Sequence, residues 1–536
     1  MQHTDWLLTA SERANPRTRL DERHPDGAAW SEGNLVRPLV HGVTYFAELH
    51  ERLEGTERGD LVFFTDWQGD ADEQLTGEPG SEVAKVLGRA DERGVDVRGL
   101  IWRSHWEKLS FSASENRLLG RRLQDRGAEA LLDMRVRTGG SHHQKMVVIR
   151  YRDHPERDVA YVGGIDLCHS RRDDAQHLGD PQAFEMAPEY GDTPPWHDVM
   201  AALSGPAVHD VETVFRERWE DPTRLTRHPV YWTQDTLLRL DMSPDPLPEQ
   251  APPPPPVDGG THVVQLLRTY PNLRRGRDYP FARGGERSVA RGYTKAILRS
   301  RHLIYIEDQY LWGRHVGELF ADALQRHPDL HVIAVVPLFT DQPGFTARMP
   351  QLLGRARAME PMLAAAPDRV AIYGIENHEG TPVYVHAKVC VIDDVWASIG
   401  SDNFNRRSWT HDSELSCAVL DEAVDGRTPA DPAGLGDGAR GFARDLRLAL
   451  LREHLDAEDD QDLTDPDETV RRVSHAADTL RDWHKGGRKG PRPPGRLVPH
   501  ETKRLPWHQR LWAVPAYRLI YDPDGRPWRA RRAGKW

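Results

Sequence analysis

The chain has 536 residues, 29% of them charged, with 71 Lys and Arg against 83 Asp and Glu and a formal net charge of −12. That length supports two or three domains with cores of their own, and no apolar run approaches the length needed to cross a bilayer. The acidic balance argues against general affinity for nucleic acid, which relies on clustered Lys and Arg to neutralise phosphates.

Residues 1–35 are polar, rich in Arg, Asp and Glu, and read as an N-terminal lead-in. Met1 to Leu8 has neither the basic stretch nor the sustained apolar core of a secretory signal. A first half-domain, 36–221, opens with an amphipathic helix over Phe46–Leu53 and a buried strand over Leu61–Trp67. A helix over Glu82–Glu92, a strand over Val95–Trp102 and a helix from Asn116 that stops at Gly127 continue the alternation. The half closes on a helix from Gly205 to Trp219, with Val208, Val211, Val214, Phe215 and Trp219 on one face. Residues 222–260 include Pro252 to Pro256 and read as a proline-rich linker, because a proline run neither joins a sheet ladder nor sits inside a helix.

The second half-domain, 261–455, repeats that order, with strands expected at Val263–Arg268, Leu303–Glu307, His331–Pro337 and Val370–Tyr373 and a helix over Val289–Arg299. Strands alternating with helices give an α/β class with covered sheets. A C-terminal extension, 456–536, is acidic as far as Glu468 and then basic and aromatic. From Lys485 onward, fourteen Lys or Arg stand against three Asp or Glu, interleaved with Trp507, Trp512, Tyr517, Tyr521, Trp528 and Trp536. Such a mixture suits contact with anionic headgroups or wrapping around the acidic body; without a continuous amphipathic helix, wrapping is slightly favoured. The three cysteines, Cys168, Cys390 and Cys417, have no metal-type spacing and fit a reducing cytoplasm.

Two strand-like stretches carry an unexpected pair of polar residues. His143-Gln144-Lys145 precedes Met146 to Ile149, and His386-Ala387-Lys388 precedes Val389 to Asp393. Each is followed by a polar turn, a second small strand and a pair of small residues, Gly163-Gly164 or Gly400-Ser401. Period-two alternation sends His and Lys to one face. A single copy would read as a core histidine beside a snorkelling lysine, but two copies point to a duplicated site. Two imidazoles and two ammoniums facing one another suit a tetrahedral anion, most simply a phosphodiester. The lysines would stabilise charge on the phosphoryl oxygens. One histidine would attack phosphorus and form a phosphohistidine, while the other protonates the departing alkoxide and then deprotonates water or an alcohol. Neither half shows metal-ligand spacing, so metal-independent chemistry without a cofactor is expected.

With Pro195–Val199, Ile304–Tyr310, His411–Leu415 and Phe442–Arg447, the doubled motif resembles the phospholipase D superfamily over residues 38–455. The resemblance implies two duplicated α-β-α half-domains packed pseudo-symmetrically around one active site. It further implies His143 as nucleophile and His386 as general acid/base, although the residues themselves leave the two interchangeable. Asp198 would serve one histidine and Glu414 the other, with Ser401 and Asn403 holding the substrate phosphate and Asp166 structural.

One position departs from the pattern: Arg150 stands where the family has the aspartate that the second copy keeps as Asp393. Seven residues from His143 is an odd offset, so Arg150 should face away and alter packing more than chemistry, with Asp153 able to replace the lost contact. The implied activity is phospholipid headgroup cleavage or exchange by a monomer in the cytoplasm that touches membranes only peripherally. Phosphatidyl transfer of the cardiolipin synthase kind, a nuclease-type phosphodiesterase, and an inactive interaction module resting on Arg150 are the alternatives.

Overall fold

The computed structural model describes residues 1–105, 113–226, 228–273, 278–342, 344–500, 506–534 and 536. The first half contributes β1 (Ser31–Val40), β2 (Leu61–Asp66), β3 (Asp96–Trp102), β4 (Glu129–Asp133), β5 (Met146–Arg150), β6 (Val159–Gly163) and β7 (Val199–Ser204). The second contributes β8 (His262–Tyr270), β9 (Leu303–Asp308), β10 (His331–Val335), β11 (Val370–Glu376), β12 (Lys388–Ile392), β13 (Trp396–Gly400) and β14 (Glu414–Asp421).

In the first sheet the order is β4-β3-β2-β5-β6-β7-β1, with β2, β3 and β4 mutually parallel and the remaining pairs antiparallel. The second runs β11-β10-β9-β12-β13-β14-β8 with the same directions. Adding seven to each label converts one sheet into the other, so the chain consists of two duplicated α/β half-domains. β1 pairs with β8 through Ser31–Val264 and Asn34–His262, which joins the two sheets.

The central strands are near-continuous runs of Val, Ile, Leu and Phe because both of their faces are covered. Outward faces pack under helices in separate clusters, one for each half. Inward faces share a single cluster in which Val148, Val162 and Val199 meet Val389, Ile399 and Leu415, together with the helices Ala207–Trp219 and Gly441–Leu455. That shared core seats the halves against each other. No helix among the described residues is long and apolar enough to cross a membrane.

Several local features differ from what pattern alone suggests. Residues 1–35 are not a loose lead-in: Trp6, Leu7 and Leu8 are buried in the outer core of the second half, Arg13 pairs with Glu286 at 3.0 Å, and β1 begins at Ser31. The proline-rich stretch holds a helix, Pro229–Leu237, and then lies along Ala207–Trp219, where Arg216 Nη1 donates to the Pro248 carbonyl at 2.7 Å. The C-terminal extension carries a long helix, Pro466–Lys485, whose Asp465 N-cap accepts from the amides of Asp467 and Glu468.

Arg150 does turn away from the site, but Asp153 does not take over the lost contact; it is exposed. Buried Arg150 reaches Asp158 and Glu212, each at 2.6 Å, and the Pro252 carbonyl at 2.6 Å. In the second half, Asp393 accepts the amides of Arg301, His302 and Leu303 at 2.7–2.9 Å. The first half makes the converse tie, with Asp60, just before β2, accepting the Arg152 amide at 2.9 Å.

Candidate active site

Neither histidine lies inside a regular strand, contrary to the pattern reading: β5 starts at Met146 and β12 at Lys388. The preceding residues peel away from their own sheet and pair with the other half. His143 donates its amide to the Ser413 carbonyl at 2.9 Å, and Ser413 donates back to Ser141 at 3.0 Å. In the second copy, Tyr384 and Val385 run parallel to Trp196 and His197, and the amides of His386 and Ala387 both reach the His197 carbonyl, at 2.8 and 3.1 Å. Each motif is therefore pinned to the residue just before an acid of the opposite half, Glu414 or Asp198.

The acids complete this exchange. His143 Nδ1 lies 2.8 Å from Glu414 Oε2, and His386 Nδ1 lies 2.6 Å from Asp198 Oδ2. Nε2 of each ring makes no hydrogen bond among the described residues and is left for a ligand. Gly164 is required here, since a Cβ at that position would stand 2.2 Å from Asp198 Oδ1.

Lys145 and Lys388 each fold back onto the carbonyl of the preceding histidine, His143 or His386. Lys145 also pairs with Asp166 at 3.4 Å and lies over the Trp67 ring, whereas Lys388 donates to Gln309 Oε1 at 3.2 Å. Asn403 Nδ2 contacts the same Gln309 oxygen at 3.4 Å, and its own Oδ1 is buried without a partner. Ser401 differs from the expectation of a phosphate donor. Its hydroxyl donates to Glu414 Oε2 at 2.7 Å and accepts the Leu415 amide at 3.0 Å, so its proton is committed to holding the acid behind His143.

Electrostatics link the two half-sites. Burial, reinforced by the charges of Lys388, Arg171 and Lys145, holds His386 well below the usual imidazole range. Burial likewise raises Asp198, against the charge of Lys388 and the Val199 amide. Lys388 comes down to about 8 through burial and the like charge of Lys145, against the pull of Asp198. Despite burial, Lys145 and Arg171 hold Asp166 low; Asp66 beside it is driven up by burial and by that charge. Lys145 of the first motif thus lies near enough for its charge to act on both His386 and Lys388 of the second.

Sequence reasoning missed Arg171 and Gln309. Arg171 is buried over the Trp196 ring and 3.5 Å from Asp166. Its signal was its place five residues after Asp166. Gln309 was quoted within Ile304–Tyr310 without a role, yet its amide also donates to the Tyr384 hydroxyl at 2.8 Å.

A second buried constellation overturns the expectation that the halves lack a metal-ligand cluster. Glu453 approaches His41 at 2.7 Å, His177 at 3.0 Å and His197 at 3.7 Å, and Glu307 approaches His197 and His454, each at 2.7 Å. His41, His177, His197 and Glu453 present donor atoms close enough to hold a cation, and the free Nδ1 atoms of His41 and His197 are buried without hydrogen-bond partners. Protonation of His197 meets part of the same need: despite burial, Glu307 brings it up to about 9, whereas burial holds His41 below its ordinary value. Because the His197 carbonyl anchors His386, this cluster buttresses the active site.

A family model described as "Phospholipase D" matches residues 60–334 and 364–497, and one described as "Cardiolipin synthase, PLD-like domain" matches 296–427. Among curated proteins, phospholipase D alpha 2 of Oryza sativa subsp. japonica is 25% identical over 571 residues, covering 83% of this chain and 68% of that protein. Phospholipase D beta 2 of Arabidopsis thaliana is 25% identical over 519 residues, covering 75% of this chain and 55% of that protein. The chain thus spans between about half and two thirds of these relatives. Among solved structures, phosphatidylserine synthase from Haemophilus influenzae Rd KW20 superposes with a TM-score of 0.46 at 13% identity, covering 72% of this chain and 82% of that one.

Proposed function

The chain belongs to the phospholipase D family, and we propose that it is an enzyme that cleaves the phosphodiester of a phospholipid headgroup and passes the phosphatidyl group to water or an alcohol. The observation that carries this reading is the pair of imidazoles, each held at Nδ1 by a carboxylate of the other half, with Nε2 free. A lysine stands beside each of them.

In the first step, Nε2 of His143 attacks phosphorus while the bond to the headgroup oxygen breaks, and protonated His386 gives its proton to the departing alkoxide. Bound phosphate charge restores to His386 the proton affinity that burial and the lysines remove. In the second step, His386, now neutral, takes a proton from water or an alcohol, whose oxygen displaces His143 from phosphorus. Lys145, Lys388 and Asn403 stabilise the phosphoryl oxygens throughout. Glu414 supports the positive charge that develops on His143, and Asp198 does so for His386. Transfer to a lipid alcohol uses the same intermediate and is the second reading, favoured by the match of residues 296–427 to the cardiolipin synthase-like domain.

The test supplies phosphatidylcholine with radiolabelled phosphorus and ethanol. Free choline with phosphatidylethanol, an acid-labile labelled enzyme in the parent, and no labelled enzyme in His143→Ala are the expected results. Label retained in His143→Ala and lost in His386→Ala would reverse the two roles, and a parent that neither labels nor turns over would reject the enzyme.

A further inference from the structure

The segment from Pro506 to Trp536 lies beyond residue 497, where the family match stops. Its helix Trp507–Ala516 runs into Tyr517–Tyr521 and buries Ala513 and Tyr517, four residues apart, against Met349 and Leu353. Other large apolar side chains of the segment are not covered. Trp507, Leu511, Leu519, Ile520 and Trp528 are each 62–76% exposed, an unusual set to leave in water.

Arginines alternate with them. Arg510, Arg518, Arg526, Arg529, Arg531 and Arg532 accompany only two acids, Asp522 and Asp524. Both acids are engaged within the fold: Asp522 accepts the Tyr517 hydroxyl at 2.6 Å and the Arg407 amide at 2.9 Å, and Asp524 pairs with Arg526 at 3.0 Å and Arg531 at 3.5 Å. Arg518, Arg529 and Arg532 are exposed and make no ion pair among the described residues, and the last two flank the Trp528 ring. On a chain of net charge −12, this is a local reversal of sign.

The segment is also tied to the active-site rim. Arg407 donates to the Ile520 carbonyl at 2.6 Å, to the Gly139 carbonyl at 2.9 Å and to Asp412 at 2.7 Å. The Asp412 carboxylate in turn receives the amide and hydroxyl of Ser141, two residues before His143, at 3.1 and 2.9 Å.

We propose that the outer face of Pro506–Trp536 is a docking surface for an anionic phospholipid bilayer, which it brings to the mouth of the active site. Only the purpose of that placement rests on the catalytic reading. Arginine at headgroup depth and tryptophan, leucine and isoleucine below it match the two layers of such a surface. A groove for a peptide would need walls, whereas these side chains are exposed on a helix and its continuation.

The test is sedimentation of the full chain with vesicles of phosphatidylcholine alone and with vesicles that also contain phosphatidylglycerol. Binding to the second kind only, weakened by salt, is expected. Replacing Arg518, Arg529 and Arg532 by Gln should weaken it about 100-fold, and Trp507→Ser/Leu519→Ser/Ile520→Ser should weaken it at least about tenfold. Both variants should unfold at the parent's temperature and hydrolyse a water-soluble phosphodiester at the parent's rate. Parent protein that ignores the anionic vesicles, variants that bind as the parent does, or variants that lose the soluble activity would each overturn the proposal. Vesicle binding by a parent that cleaves no diester would leave the surface standing and remove the enzyme.

Discussion

His143 and Glu414 lie 2.8 Å apart across 271 residues of sequence, and His386 meets Asp198 in the same manner across 188. The acid steadies the tautomer and the developing imidazolium without touching phosphorus. Glu414→Gln and Asp198→Asn should each lower kcat on a soluble diester by about 100-fold or more, with the labelled intermediate slow to form in the first and slow to decay in the second. Ser401→Ala, which removes one hydrogen bond to Glu414, should cost about tenfold. Rates within twofold of the parent for all three would deny the acids their positioning role.

Lys388 must be an ammonium to stabilise the phosphoryl oxygens, and in the free protein its pKa is brought down to about 8. The charged fraction therefore falls as pH rises through that value, and kcat/KM should fall with it. Bound anionic substrate raises the pKa again, so kcat should hold to higher pH. A kcat/KM profile flat from about pH 7 to about pH 10 would contradict this.

Arg150 is a stability residue in this reading. Replacing it with Met leaves Glu212 and Asp158 buried beside an uncharged side chain, although Arg216 still reaches Glu212 at 2.6 Å. Breaking a buried pair in this way costs about 3–5 kcal/mol. Denaturant midpoints should drop accordingly while kcat per folded molecule is unchanged. Lost activity at full stability would place Arg150 in the chemistry after all.

The histidine cluster makes stability depend on pH. His197, raised from 6.5 to about 9 by Glu307 despite burial, binds its proton more tightly folded than unfolded. Its contribution, on the order of 3 kcal/mol, is fully present below pH 6.5 and is lost as pH climbs through 9. Thermal unfolding followed across that window should show the decline, and His197→Gln should flatten it.

Much of this architecture was legible in the chain, because period and composition are local. The repeated His-x-Lys, the alternation of helix and strand and the closing helix Ala207–Trp219 all follow from spacing. β4 was overlooked because Glu129–Asp133 has five residues and no alternation to mark it. Asp158 was overlooked for a different reason: the turn at Pro155–Arg157 carries it back to Arg150, whereas Asp153, the nearer acid, points outward. Which acid serves which histidine, and the meeting of His41, His177, His197 and His454, depend on contacts between distant segments that no local pattern encodes. The resemblance supplied the acids as a set, but their crossing came from the fold.

That crossing bears on the stretch between the halves. Cut there, each fragment would keep its sheet and both members of its His-x-Lys, yet neither histidine would have its carboxylate. Mixing the fragments should restore turnover in proportion to the product of their concentrations. With the Pro252 carbonyl already held by Arg150, the prolines at 252–256 leave only a short span to the second half, and that covalent link keeps the halves far more concentrated around each other than two fragments in solution.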